Sequence, residues 1–150
     1  MITYRKLLLL SFCCSLSAVV FSQDVTVYSS PYKKDQTLTR VIESIEKNGF
    51  SFLNTSSYKR GVSTKKSEMN AVQIVYFETE DVAELAACEP TAMLEMPLKL
   101  IIWNEGKNAF IGYTNPNHFK KRYLVTTCDE VIKNLNRALI RVVNDAIRTR

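Results

Sequence analysis

Alternation of apolar and polar residues predicts the first strands of the chain. Residues 24–30 read DVTVYSS, and a second alternating run starts at Phe50. A period of two is typical of a strand that has one face against a core and the other in water. Residues 72–77 are instead apolar and β-forming almost throughout, as in a central strand. Residues 54–70 are polar and basic without a period, so we expect a loop there.

A hairpin is predicted where two apolar runs flank a glycine. Residues 98–103 and 109–114 each have the length of a strand, and residues 104–108 between them include Gly106. Short loops that contain glycine commonly join antiparallel strands.

Two further segments carry apolar residues at helical spacing. The first helix is expected to start at the cap residue Asp35 and to end at Gly49, which can adopt the left-handed conformation. The second is a short helix around Val82, Leu85 and Ala86 that ends before Pro90 and for which Thr79 or Asp81 can serve as the cap.

The last helix has the clearest pattern in the chain. Residues 127–130 read Thr-Cys-Asp-Glu, which is a capping box with Thr127 and Glu130 as its reciprocal partners. Apolar residues then recur over 131–146 on one wide face. The opposite face carries the arginines, which are Arg137, Arg141 and Arg148.

The predicted order of elements is therefore β-α-β-β-α-β-β-α. Strands that alternate in polarity have one wet face, so we expect the helices to gather on the other face. This reasoning predicts an α+β fold, a two-layer sandwich in which helices cover one face of a five-stranded sheet.

The first 22 residues have the features of a secretory signal peptide. Arg5 and Lys6 precede a long apolar stretch, and Val20 and Ser22 provide small residues before a cut at Gln23. A retained membrane anchor is the alternative, but the apolar stretch is shorter than the roughly 20 residues that cross a bilayer. We therefore expect an exported protein, periplasmic or secreted, with one domain over residues 23–150 and no span after cleavage.

Charge excludes some partners. The formal charge falls from +5 to +3 when Arg5 and Lys6 leave with the signal peptide. This small excess, together with export, argues against nucleic acid as a partner. Basic clusters at residues 65–66 and 120–122 leave an anionic lipid or polysaccharide surface as an alternative partner.

Two cysteines remain after signal cleavage, Cys88 and Cys128. They are too few for a zinc framework, and their spacing is not that of a CxxC redox pair. Cys88 lies among alanines, which predicts a buried small hydrophobe. A disulfide between Cys88 and Cys128 is the alternative, since export permits one.

The candidate site residues cluster after the hairpin. His118 is the only histidine of the chain and has no clustered carboxylate or thiol in sequence, so neither a catalytic grouping nor a metal site is predicted. We expect Trp103 to pack in the core, whereas Tyr113 could face either side. If both aromatic rings face the open side of the sheet, they would floor a shallow ligand pocket with Asn115 and His118 at its rim.

Two long segments resemble domain-of-unknown-function family 302, a bacterial family. These are SPYKKDQTLTRVIESIEKNGF and EPTAMLEMPLKLIIWNEGKNAFIGYTNPNHFKKRY. Tyr113, Asn115, Pro116 and Arg122 match the family's turn. The resemblance implies a small α+β domain that often self-associates, and it implies no established activity. The chain departs from the family at Tyr58, where members commonly carry a histidine, and over 77–80, where they tend to have Gly-Asn-Pro.

The sequence therefore predicts an exported, non-enzymatic domain with no cofactor and no metal. It would bind a small ligand through Trp103, Tyr113, Asn115, His118 and Arg122, or associate with itself or an envelope partner. The alternative is an enzyme or redox protein that uses His118 and Tyr113, or Cys88 and Cys128.

Overall fold

A computed structural model describes residues 24–58, 71–125 and 127–149 of the chain. The predicted signal peptide and residues 59–70 of the predicted loop lie outside the described residues. The described part contains five strands, which are β1 (Val25–Ser30), β2 (Ser51–Tyr58), β3 (Val72–Glu78), β4 (Leu98–Glu105) and β5 (Asn108–Thr114).

The strands form one antiparallel sheet in the order β1-β5-β4-β3-β2. The predicted hairpin makes the β4–β5 pair, in which Ile102 lies opposite Ile111. Strand β1 then pairs with β5, and β3 with β4, so that β1 and β2 are the two edges of the sheet.

Helices connect these strands. The described helices are α1 (Lys34–Lys47), α2 (Asp81–Cys88), a 3₁₀ helix (Pro90–Glu95), α3 (Asn117–Arg122) and α4 (Asp129–Ile147). The predicted order of strands and long helices is confirmed. The 3₁₀ helix and α3 are additional, and they occupy connections in which no element was predicted.

The core lies between one face of the sheet and the helices. Side chains alternate along β4, so that Leu100 and Ile102 are fully buried while Ile101 points to the opposite face. The buried faces of α1 and α4 close the core from the other side, chiefly with Val41, Ile45, Leu135, Leu139, Val142 and Val143. The predicted α+β arrangement is confirmed.

Both predicted glycine turns have the backbone conformation that requires glycine. Gly49 has φ +83° at the end of α1, where its N–H donates to the carbonyl of Glu46. Gly106 has φ +61° in the β4–β5 turn. That turn spans residues 106–107 and is shorter than predicted, because residues 104, 105 and 108 belong to the strands.

Strand β2 is longer than its pattern predicts. The polar residues 54–58 were expected to belong to a loop, but they pair with β3 up to Tyr58. Because β2 is an edge strand with little burial, its pairing residues do not need to be apolar.

The predicted helix caps were wrong. The N-cap of α4 is Cys128, and no side chain of the described residues caps this helix, so the Thr127–Glu130 capping box does not form. Helix α1 starts after Lys33 with Asp35 inside its first turn, and the N-cap of α2 is Glu80. In the described ranges, we find no helix with the length and apolar character that a membrane span requires.

Candidate functional site

Tyr113 faces the helix side of the sheet and belongs to the core. Its side chain is 3% exposed, and its ring lies parallel to that of Tyr28 with centroids 6.3 Å apart. Burial raises the pKa of Tyr113 far above its ordinary value, and the hydrogen bond with Tyr28 raises this pKa further. The phenol therefore stays protonated at neutral pH and is unsuited to serve as a base.

Asn115 shapes the turn that leads into α3. Its side-chain Oδ1 accepts from the N–H of Asn117 at 3.0 Å, and its carbonyl accepts from the N–H of His118 at 2.8 Å. Its own N–H donates to the carbonyl of Asp24 at 2.8 Å. These are the bonds of an Asx turn joined to a strand end, so the side chain of Asn115 is already engaged.

His118 has an acidic neighbour that the sequence analysis missed. Its Nδ1 lies 3.1 Å from Oδ1 of Asp24, and the histidine side chain is 21% exposed. The contact has the distance of an ion pair but not the angle of a well-formed hydrogen bond. A carboxylate can orient an imidazole for proton transfer, and here it also ties the start of β1 to α3.

The basic residues at the end of α3 are paired as well. Arg122 lies 2.9 Å from Glu95, whose carboxylate also accepts from the hydroxyl of Tyr123 at 2.7 Å. That hydrogen bond raises the pKa of Tyr123. Lys120 lies 2.7 Å from Asp129, and its hydrogen bond lowers the pKa of the Asp129 carboxyl.

Helix α3 is thus anchored to three other elements by contacts between its side chains and carboxylates. His118 reaches the start of β1, Lys120 the start of α4, and Arg122 the 3₁₀ helix. A six-residue helix is too short to be stable alone. The predicted site residues on α3 therefore hold this segment in place.

Two surface pockets, called hollows below, are found near these elements in the described part of the chain. The first has a volume of about 40 Å³ and is lined by Glu95, Leu98, Lys99, Thr114, Phe119 and Leu139, which is far less than the roughly 300 Å³ of a small ligand site. The second, about 340 Å³, lies between α1 and the end of α4. None of the five predicted site residues lines either hollow.

The second hollow is lined by residues that hold α1 and α4 together. Arg40 donates from Nε to the carbonyl of Ala146 at 2.6 Å and thereby caps α4. Lys47 pairs with Asp145 at 3.0 Å. No group of three or more His, Cys, Asp or Glu side chains suited to a metal ion occurs among the described residues.

Trp103 was expected in the core, but it lies on the opposite side of the sheet. It pairs in register with Phe110, and the two rings stack with centroids 5.6 Å apart. Its Nε1–H donates to Glu105 at 3.0 Å. Because Tyr113 faces the core, Trp103 and Tyr113 do not share a surface, and the predicted pocket between them does not form.

Gly112 leaves the space that Trp103 occupies. A Cβ at position 112 would lie 3.0 Å from the indole ring and 3.2 Å from Ile101. The glycine is thus required by a close approach across two strands and not by its backbone angles.

The side of the sheet opposite the helices is apolar over four strands. We call it the open sheet face and define it by Gly112 and the apolar residues that the strand register places there, namely Val25, Val27, Ile74, Tyr76, Ile101, Trp103 and Phe110. The polar residues Ser29, Lys99, Glu105 and Thr114 lie around them on the same face. Val25 and Val27 are 49% and 50% exposed. The buried apolar residues of the described helices belong to the core on the other face.

The two cysteines form a disulfide that joins α2 to α4. The Cα atoms of Cys88 and Cys128 are 6.0 Å apart. The expectation that Cys88 is a buried hydrophobe was wrong, because Cys88 ends α2 and is exposed, whereas Cys128 is 2% exposed. The alanines before Cys88 do not continue the buried face as far as this residue.

These observations define an α+β domain with an open, five-stranded antiparallel sheet. A crystal structure of an uncharacterized conserved protein, DUF302, from Bacillus stearothermophilus has this fold, with a TM-score of 0.74 and 16% sequence identity over 85% of this chain and 100% of that one. The model of the family described as domain of unknown function DUF302 matches residues 25–142, and the chain belongs to that family. No protein with a curated description matches the chain.

Proposed function

We propose that the protein is an exported, non-enzymatic domain that associates with a second copy of itself through the open sheet face. The observation that carries the proposal is the apolar character of that face, which includes Trp103 and two half-exposed valines. Contiguous exposed apolar surface of this kind is typical of interaction sites. Export is supported by the signal-peptide pattern of residues 1–22.

The size of the face suits a partner of the same kind. Four strands about 4.8 Å apart and about six residues long cover roughly 19 by 20 Å, or about 380 Å². Two such faces would bury about 800 Å² in total, which is the size of a weak, reversible protein–protein contact. Sheets that pack face to face do so through interdigitating apolar side chains.

The charges at the ends of β4 favour a two-fold arrangement. Lys99 and Glu105 point to the same side as Trp103, because all three positions share the parity of the strand. If a two-fold axis lies in the plane of the interface and perpendicular to the strands, Lys99 of one copy approaches Glu105 of the other. A two-fold contact contains this pair two times, once from each copy.

The enzymatic alternative has less support in the geometry. The raised pKa and burial of Tyr113 remove it as a base, and neither cysteine is a free thiol that could act as a nucleophile, because the two are bonded to each other. The Asp24–His118 pair is the remaining group with catalytic character, and it anchors α3 to β1.

Sedimentation of residues 23–150 over a wide range of concentration tests the proposal. We expect the mass to approach twice that of one chain as concentration rises. Replacing Val27 by Arg should shift the protein to the monomer, because a guanidinium would be buried without a partner in the interface. In the isolated domain Val27 is half exposed, so the fold should tolerate the change.

Leu94→Arg is the matched control. Leu94 is 77% exposed but lies on the 3₁₀ helix, outside the strands that form the open sheet face, so this variant should associate like the parent protein. A strictly monomeric parent would contradict the proposal. Equal loss of association in both variants would show that the open sheet face is not the contact surface.

A further inference from the structure

We infer that the Cys88–Cys128 disulfide is a site of thiol–disulfide exchange, at which an external thiol attacks the sulfur of Cys88 and releases Cys128. The inference rests on the unequal surroundings of the two sulfurs and is independent of the open sheet face. The substrate class is a thiol, either a small molecule such as glutathione or a cysteine of another protein.

Access distinguishes the two cysteines. Cys88 is the last residue of α2 and is exposed, whereas Cys128 is 2% exposed and belongs to the core cluster. Exchange requires that the incoming thiolate reach one sulfur directly. Cys88 is the exposed residue of the pair, so we expect the mixed disulfide to form on its sulfur.

The position of Cys128 suits a leaving thiolate. Cys128 is the N-cap of the 19-residue helix α4, and its carbonyl accepts from the N–H of Ile132 at 3.1 Å. Among the described residues, no side chain caps the first turn of this helix, so its backbone N–H groups have no side-chain acceptor that would compete with a negative sulfur. The positive end of the helix dipole also stabilises a thiolate at this position.

The acidic residues next to Cys128 weaken this effect only in part, because each has a cation beside it. Asp129 lies 2.7 Å from Lys120, and Glu130 lies 2.7 Å from Lys133. The two lysines offset the two carboxylates, and the dipole and amide contributions remain.

The step is balanced without any further reactant. The incoming thiolate forms a bond to Sγ of Cys88 while the bond between the two cysteine sulfurs breaks. The electron pair of the broken bond goes to Sγ of Cys128. The products are a mixed disulfide on Cys88 and a thiolate on Cys128. A second thiol completes the reduction, or Cys128 attacks back and restores the original disulfide.

Mass mapping of the mixed disulfide tests the inference. The oxidised native protein is incubated with reduced glutathione, quenched with acid, denatured and blocked with N-ethylmaleimide before peptide analysis. We expect glutathione on Cys88 and the maleimide on Cys128, in at least about tenfold excess over the reverse product. Equal labelling, the reverse product, or no reaction until denaturant is added would each overturn the inference.

A pair of single variants provides a second readout when the adduct is short-lived. Cys128→Ser leaves Cys88 as a free thiol, and Cys88→Ser leaves Cys128. With glutathione disulfide, the first variant should react at least about ten times faster than the second. Thermal unfolding establishes that both variants are folded, and equal rates in two folded variants would refute the unequal access on which the inference depends.

Discussion

Opening the disulfide should destabilise the domain by an amount that follows from the spacing of the two cysteines. Cys88 and Cys128 are 40 residues apart in the chain. In the chain-entropy model, a cross-link that closes a loop of this size stabilises the folded state by about 4 kcal/mol. For a domain of ordinary stability, which is about 5–15 kcal/mol, this is a large fraction of the total.

The assay compares one protein in two redox states, so that no side chain other than the two cysteines changes. Urea unfolding of the domain is followed with and without a phosphine reductant. We expect a loss of about 2–4 kcal/mol on reduction, which corresponds to a fall in melting temperature of roughly 7–15 °C for a chain of this length. The double variant Cys88→Ala/Cys128→Ala should match the reduced protein and should not respond to the reductant. Agreement of the oxidised and reduced curves would refute the reasoning.

Three further predictions concern the sheet and the helix pair. Gly112→Val should push the indole ring towards solvent, shift its fluorescence to longer wavelength and lower the free energy of unfolding by about 1–3 kcal/mol, since even a Cβ lies 3.0 Å from that ring. Ile102→Ala should cost about 2–5 kcal/mol in urea unfolding because its site is fully buried, whereas Ile101→Ala on the open sheet face should cost about 1 kcal/mol or less and weaken association in sedimentation. The hydrogen bond from Lys47, and to a lesser extent that from Asn48, lowers the pKa of Asp145 below its ordinary value of 3.8. The contribution of Asp145 to stability is therefore present above pH 3.8 and is lost as the pH falls through the lowered pKa of the folded state. Asp145→Asn should flatten the acid part of the plot of melting temperature against pH, and an unchanged plot would contradict the assignment.

The strand and helix order was predictable because most elements carry their own period. Helix α4 has an uninterrupted apolar face, and β1 alternates over its whole length. The end of β2 was not predictable in this way. Residues 54–58 are polar, and only their pairing with β3 makes them a strand.

The sequence around Trp103 does not indicate which face of the sheet this residue occupies. Ile101 and Ile102 are both apolar, although they point to opposite faces of the sheet, so the run contains no alternation from which a face could be assigned. An apolar residue on the open sheet face and one in the core give the same sequence pattern. Parity counted from the buried Ile102 would have placed Trp103 on the open side.

The contacts of the candidate site depend on residues that are distant in the chain. Asp24 lies beside His118, and Glu95 beside Arg122, and neither carboxylate belongs to a motif that includes its partner. Asp24 is also only the second residue after the predicted signal peptide, where a charged residue needs no special explanation. Pairings of this kind arise from the sheet topology, which brings β1 next to β5.

The fluorescence of Trp103 tests most directly whether two copies meet through the open sheet face. Trp103 is the only tryptophan of the chain and is partly exposed on that face, so quenching by acrylamide reports the access of solvent to this surface alone. We predict that quenching falls as protein concentration rises, in parallel with the increase in mass, and that Val27→Arg abolishes the change. Quenching that stays constant while the mass doubles would place the contact elsewhere and contradict the account.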